Sequence, residues 1–204
     1  MTHVIDWDGA YREEDKPAWN IGEPQPEYAA LIDQAGVVRG EVLDAGCGYA
    51  ELALALAARG HTVVGIDLTP TAVEAATAAA AERGLPTATF QQADISSFTG
   101  HDGRFSTIFD SGLLHALPAE LRDGYLQSVH RAAAPGASFY ILAFGTGAFP
   151  DHAEPAPTQF TEDQLREVVS KHWRVEDIRP ARLQAGAGPA SVQLPGHLVI
   201  AHKA

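Results

Sequence analysis

Glu41-Val42-Leu43-Asp44-Ala45-Gly46-Cys47-Gly48-Tyr49-Ala50-Glu51 is the stretch that decides how this chain folds. Val42 and Leu43 end a short apolar strand. Gly46 and Gly48 follow in a turn where bulkier side chains would hold a ligand away from the backbone. From Tyr49 to Arg59 the pattern is helical, with Leu52, Leu54 and Leu56 set among alanines. A strand, a glycine turn and a helix whose free N–H groups face that turn make a cradle for a nucleotide-bearing ligand. Two residues narrow its identity. A dinucleotide fingerprint needs a third small residue where the helix packs on the strand; here that position is Glu51, an anion facing the place a diphosphate would take. Asp44 precedes the turn, and an acid there suits a ligand that carries positive charge.

Asp44-x-Gly46-x-Gly48 resembles motif I of the class I S-adenosylmethionine-dependent methyltransferases, whose cofactor carries an ammonium and a sulfonium. A glycine turn with no ligand is the plainer alternative, so support has to come from elsewhere in the chain. His61-Thr62-Val63-Val64-Gly65-Ile66-Asp67 reads as a buried strand closed by an acid, 19 residues beyond Gly48. An acid there can accept both ribose hydroxyls, a spacing that NAD proteins share. Gln92-Ala93-Asp94-Ile95 matches the family position where an acid meets the adenine amino group and the next backbone N–H meets a ring nitrogen. The resemblance thus implies S-adenosyl-L-methionine held by Asp44, Gly46, Gly48, Asp67, Leu68, Asp94 and Ile95. It also implies an α/β fold: a doubly wound, seven-stranded Rossmann-like sheet in the order 3-2-1-4-5-7-6, strand 7 antiparallel, behind an N-terminal lid.

Two further segments point to one branch of that family. Pro17-Ala18-Trp19-Asn20-Ile21-Gly22-Glu23-Pro24-Gln25-Pro26 is similar to the Pro-Trp-Asp-x-Gly-x-Pro-x-Pro segment of thiol, halide and thiopurine methyltransferases, with Asn20 in place of Asp and Ala18 inserted. In that branch the segment closes over the methionine end of the cofactor and part of the substrate site, which implicates Trp19 and Gln25. The alternative for Trp19 is a lid residue that only packs on the core. Asp110-Ser111-Gly112-Leu113-Leu114-His115-Ala116-Leu117-Pro118 resembles the branch's Asp-x-x-x-x-His-Ala-Leu-Pro. Asp110 and Ser111 would then lie below the transferring methyl group. His115 is the first candidate for a base, with Tyr11 and His152 behind it and Asp110 as the alternative; a satisfied histidine at a helix start is the competing reading. Aromatic and histidine residues of the lid and a late loop (Trp7, Tyr11, Trp19, His115, Phe144, Phe149, His152) suggest a site for a flat apolar acceptor.

Composition sets the bounds. A chain of 204 residues has room for one domain with a large core; the expected division is a lid segment and helix at 1–36 and a catalytic domain at 37–204. The net charge of −12, with 14 scattered basic residues, argues against nucleic acid. No apolar run is long enough for a membrane span and no leader is visible, so a cytoplasmic protein is the default expectation. One cysteine, Cys47, excludes an internal disulfide and a thiolate cluster; inside the glycine turn it reads as a small packing residue. No metal ligand set is identifiable, and nothing in the chain fixes an oligomeric state.

The remaining elements follow from periodicity and turn residues. Helices are expected at 27–35 (ended by Gly36), 49–59, from Pro70 to Arg83 behind a cap at Thr69 or its neighbour, and 119–134, with Leu121, Tyr125, Leu126 and Val129 inward despite Gly124. Thr161-Glu162-Asp163-Gln164 opens a last helix with a capping box. Strands are expected at 41–45, 61–67, 87–91, 105–110, 138–144 after the breaker Pro135-Gly136, and near 173–182 and 194–203. The loops at 145–159 and 184–191 lie between them. The expected activity is methyl transfer from S-adenosylmethionine to O, S or N of a small aromatic heterocycle, detoxifying in role. Small-thiol S-methylation, a non-catalytic S-adenosylmethionine-binding protein and an NAD-dependent oxidoreductase are the alternatives; Glu51 and the terminal strands disfavour the last.

Overall fold

The computed structural model describes residues 6–12, 17–150, 156–186 and 188–204. In chain order the elements are α1 (Trp7–Arg12), α2 (Pro26–Ile32), β1 (Val42–Ala45), α3 (Glu51–Ala58), β2 (Val63–Asp67), α4 (Pro70–Glu82), β3 (Ala88–Gln92), β4 (Phe105–Ser111), α5 (Leu113–Ala116), α6 (Ala119–Ala132), β5 (Ala133–Phe144), α7 (Glu162–Val169), β6 (Arg174–Ala185) and β7 (Val192–His202). The strands form one seven-stranded sheet in the order β3-β2-β1-β4-β5-β7-β6. Neighbours from β3 to β5 run parallel, and β7 lies antiparallel between β5 and β6. This is the topology the resemblance implies.

Two apolar cores flank the sheet. Leu43, Ile66, Ile108, Phe139 and Val199 face α6 and α7, where Tyr125, Leu126, Leu165 and Trp173 are buried. Val42, Val63, Phe109, Leu142 and Leu198 face α2, α3 and α4, with Tyr28 and Leu56 among the buried partners. In α3, Leu52, Ala53, Leu54, Leu56 and Ala57 are all buried. A helix of eight residues is marginal alone; burial of its leucines, each contributing roughly 1.5–3 kcal/mol, holds it in place. Tyr28 crosses to the sheet, its hydroxyl 2.6 Å from the Asp110 carbonyl oxygen and 3.0 Å from that of Tyr140. Parallel order places the carboxyl ends of β1 to β5 along one edge, where ligands bind in such sheets.

Several expected boundaries move, each for a local reason. α3 begins at Glu51 because Ala50 takes the left-handed conformation, φ 63° and ψ 30°. α2 ends at Ile32 with Asp33 as its C-cap, so Gly36 lies beyond the helix end. β5 runs through Pro135-Gly136: those residues sit in a bulge, where Phe105 pairs with Ala133 and Thr107 with Ser138. A bulge tolerates a residue that cannot donate to the ladder. β6 extends into the expected 184–191 loop as far as Ala185, β7 starts directly after that loop at Val192, and Leu121 points outward at 40% exposure. Gly124 has a packing reason, since a Cβ there would stand 2.9 Å from the Ser96 carbonyl oxygen. The capping box at Thr161 and Gln164 is present in both directions.

Candidate functional site

The glycine turn after β1 is tied down from two strands. Gly46 N and Cys47 N donate to the Ile66 carbonyl, at 2.8 and 3.1 Å. Gly48 N donates to Asp67 Oδ2 at 2.8 Å. Gly46 and Gly48 both sit at positive φ, and a Cβ on Gly48 would come within 2.7 Å of the Tyr11 hydroxyl. The other oxygen of Asp67 accepts from Thr69 N (3.0 Å) and Thr69 Oγ1 (2.8 Å). Thr69 is the N-cap residue of α4, as expected of it or its neighbour, but its hydroxyl goes to Asp67 and makes no cap bond. Instead Asp8 of α1 reaches across, accepting from Thr71 N at 3.1 Å. That contact, first among several, holds the Asp8 carboxyl below its ordinary range.

Asp44 is 2% exposed, and its carboxylate accepts from Ala53 N at 3.2 Å. Burial first, and then the charges of Asp67 and Asp110, push it up to about 7. It pairs with no cation among the described residues. A buried carboxylate in this state is a place for an incoming ammonium. Cys47 beside it has a thiol raised by burial, which suits packing and not nucleophilic attack. Leu68, at 56% exposure, leaves an open apolar surface next to Asp67. Asp94 is exposed, its Oδ1 accepting from Ser96 N and Oγ, while Ile95 is buried. Buried acid, glycine turn, strand-end acid and open leucine together fit S-adenosylmethionine.

Asp44, Gly46, Gly48, Glu51 and Ser111 line one cleft, and the lid roofs it with Tyr11, Trp19 and Gln25. Tyr11 Oη accepts from Trp19 Nε1 at 3.2 Å, while its carbonyl accepts from the Tyr49 hydroxyl at 3.0 Å. Trp7 packs edge-on against Trp19. Burial, then Asp67, raises the Tyr11 phenol well above its ordinary value. Tyr11 thus sits in the lid, with its phenol oxygen engaged by Trp19. Gln25 is also re-read: Nε2 donates to the Gln184 carbonyl (2.9 Å) and Oε1 accepts from Gln184 N (2.8 Å), clasping the lid to β6. Gly186 N, donating to the Ala18 carbonyl at 2.7 Å, adds to the clasp.

At the β4–β5 end the structure brings His115, Phe144 and Phe149 together. The His115 ring stacks on Phe144 (4.2 Å), and Phe149 meets Phe144 edge-on (4.9 Å). Gln159 fastens Phe149 at both backbone atoms, by bonds of 3.0 and 3.1 Å. His115 Nδ1 accepts from Phe144 N at 3.1 Å. Burial, then the Arg122 charge, lowers the His115 pKa to about 3. With that lone pair engaged, the neutral ring presents an N–H rather than the base expected of it. Asp110, fully buried, is likewise no base: Leu113 N (2.6 Å), Leu114 N (3.0 Å) and the Tyr125 hydroxyl (2.8 Å) take its carboxylate, which burial raises to about 6. Ser111 stays exposed and lines the cleft. His152 lies outside the described residues. No motif or periodicity marks Asp8, Arg122, Thr158 and Gln159, whose roles depend on partners distant in the chain.

Residues 42–136 match the family model described as "Methyltransferase domain". A 2-heptyl-1-hydroxyquinolin-4(1H)-one methyltransferase of Mycobacteroides abscessus is 58% identical over 170 residues, 83% of this chain and 74% of that protein. A probable thiol methyltransferase of Arabidopsis thaliana is 29% identical over 62% of this chain and 56% of its own length. A structure solved for the conversion of a disulfide bond into a thioacetal group during echinomycin biosynthesis superposes with a TM-score of 0.86, at 34% identity, covering 96% of this chain and 90% of that one. The Burkholderia thailandensis 1,6-didemethyltoxoflavin-N1-methyltransferase, solved with S-adenosylhomocysteine, gives 0.68 at 25% identity, covering 96% and 79%. No helix among the described residues is long and apolar enough to cross a membrane. Topology, site and relatives agree: the chain belongs to the class I S-adenosylmethionine-dependent methyltransferases.

Proposed function

We propose that this methyltransferase acts on a heteroatom of a small aromatic heterocycle, with a 1-hydroxyquinolin-4-one as the leading acceptor and detoxification in the cytoplasm as the role. The observation that carries this reading is the 58% identity to the quinolone-modifying relative, extending over 83% of the chain. The stacked His115, Phe144 and Phe149 at the end of β5 support it, since a flat ring finds aromatic faces there. In this reading Asp44 receives the ammonium of S-adenosylmethionine, and Asp67 the ribose. Leu68, Asp94 and Ile95 border the adenine.

When bound, the cofactor supplies an electrophilic methyl group and a neutral sulfur leaving group. The protein's own share is alignment and the exclusion of water. Trp19 and Tyr11 roof the cleft, Gln25 holds that roof to β6, and Asp110 fixes α5 through its first N–H groups. Alignment of two reactants in a near-attack arrangement contributes roughly 7–11 kcal/mol. A small-thiol acceptor is the second reading, favoured by the Arabidopsis relative. Mass spectrometry of a mixture of protein, S-adenosylmethionine and either 1-hydroxyquinolin-4-ones or simple thiols separates them. A quinolinone product heavier by one CH₂ is expected; methylation of thiols alone would replace the first reading with the second.

A further inference from the structure

His115 is held in one tautomer by its neighbours. Phe144 N donates to Nδ1 at 3.1 Å, so Nδ1 carries no hydrogen in the neutral ring and Nε2 carries it. The opposite tautomer would set two N–H groups against each other beside the core. Stacking on Phe144 fixes the ring plane, and Thr158 N, donating to the His115 carbonyl at 2.9 Å, fixes the backbone. Nε2 then points at Gly112: a Cβ there would stand 3.1 Å from it. Gly112, at φ 95°, follows Ser111 directly, and Ser111 lines the cleft. No group among the described residues accepts the Nε2 hydrogen, and His115 keeps 7% of its surface exposed.

The charges around the ring agree with that state. From α6, Arg122 is fastened to the Leu117 carbonyl (3.0 Å) and Thr158 Oγ1 (2.5 Å), and its charge disfavours an imidazolium. From β4, Asp110 spends its carboxylate on Leu113, Leu114 and Tyr125. From β7, the His197 ring lies against Gly145, 3.2 Å from where its Cβ would be. A fixed N–H donor with a guanidinium behind it favours an anion in front of it.

We infer that His115 uses its Nε2–H to bind the acceptor as an anion, so that the enzyme selects ring hydroxyls and thiols acidic enough to ionise before they bind. This rests on the acceptor site proposed above. The acceptor's proton leaves to water outside the site. Its heteroatom lone pair forms the bond to the methyl carbon while the carbon–sulfur pair stays on sulfur, and no proton has to be removed within the cleft. Specificity then lies in the acceptor's own acidity as much as in its shape.

The test uses ¹⁵N-labelled protein saturated with S-adenosylhomocysteine, so that nothing turns over. NMR should show His115 with hydrogen on Nε2 and none on Nδ1 from about pH 5 to 8. Calorimetry then follows ring-substituted 1-hydroxyquinolin-4-ones and ring-substituted thiophenols. Affinity should rise with pH up to each compound's own pKa, a breakpoint that shifts with the compound. His115→Asn keeps an acceptor for Phe144 N but removes the donor; it should weaken ionised ligands by about tenfold or more and leave the methylated product's affinity unchanged. His115→Gln should restore part of the loss. A hydrogen on Nδ1, a breakpoint common to all ligands, or unaltered affinity in His115→Asn would overturn the inference. If the thiophenols behave as described and the quinolinones do not bind, the substrate reading fails while the role of His115 stands.

Discussion

At the β1–β3 end of the ligand edge, the site is made of backbone turns and carboxylates fastened to neighbours within one or two strands. Asp67 takes the N–H of Gly48, 19 residues away, and Thr69 beside it. At the β4–β5 end, it is made of side chains that meet only through the fold. His115 meets Phe144 from 29 residues away, and Gln25 meets Gln184 from 159. Their electrostatics differ too. The first end holds a buried carboxylate with its pKa raised, and the second a histidine kept neutral first by burial and then by a nearby guanidinium. A cofactor with a fixed shape and charge can be met by a fixed local motif. The acceptor proposed above would be met by parts drawn from the lid, α5, β5 and the loop after it.

The most severe way to break that contrast is Asp67→Ala. It removes the carboxylate from both the glycine turn and the α4 start, together with the proposed ribose contacts. Charge-assisted bonds contribute about 1.5–3 kcal/mol each, so losing two lowers S-adenosylhomocysteine affinity by at least about 100-fold in calorimetry. The His115 ¹⁵N signature should remain as in the parent protein. Loss of both would mean that the two ends are one cooperative unit.

A pH series sharpens the electrostatic side. The folded Asp44 pKa, about 7, lies above that of an unfolded aspartate, about 3.9. The folded state binds the extra proton between those values, so this site's contribution to stability is present below about pH 4 and is lost as pH rises towards about 7. Asp110, raised to about 6, has the same sign over a narrower window. His115 works the other way: with its folded value lowered to about 3 from about 6.5, its contribution is present above about pH 6.5 and is lost as pH falls towards about 3. Thermal unfolding without cofactor should therefore show Asp44→Asn melting several degrees above the parent at about pH 8 and level with it near pH 4. An equal gain at both pH values would mean that Asp44 is not a buried charge in the folded state.

What could be read from the sequence follows the same division. Asp44-x-Gly46-x-Gly48 and Asp67 announce a strand, a turn and a helix because strand period, glycine permissiveness and helix pattern are local properties. The sheet order was available only through the family resemblance that these residues carry. Asp110 was legible as a strand-end acid but not as the anchor of α5, because its partners Leu113, Leu114 and Tyr125 are set by how two helices pack. His115 could be located but not given a tautomer, which depends on one N–H of β5. Gln25 could be matched to a branch pattern, while its partner Gln184 lay in what read as a loop.

Ala50 is the smallest lever and the one that probes the turn itself. It is the only non-glycine at positive φ among the described residues, and it sits at the helix start that cradles the cofactor. An L-residue held there costs roughly 1–2 kcal/mol. Ala50→Gly relieves that strain but adds about 0.5–1 kcal/mol of backbone entropy to be lost on folding. The net lies between no change and a gain of about 1.5 kcal/mol, or up to roughly 3–6 °C in the unfolding midpoint. If the strain is what keeps the turn preorganised, the same change should weaken S-adenosylhomocysteine binding by about two- to threefold, as a looser turn has more freedom to lose on binding. A higher midpoint with unchanged affinity would show instead that Gly48 N and Asp67 alone define the cradle, and that the left-handed Ala50 is a consequence of α3 packing so closely against the sheet.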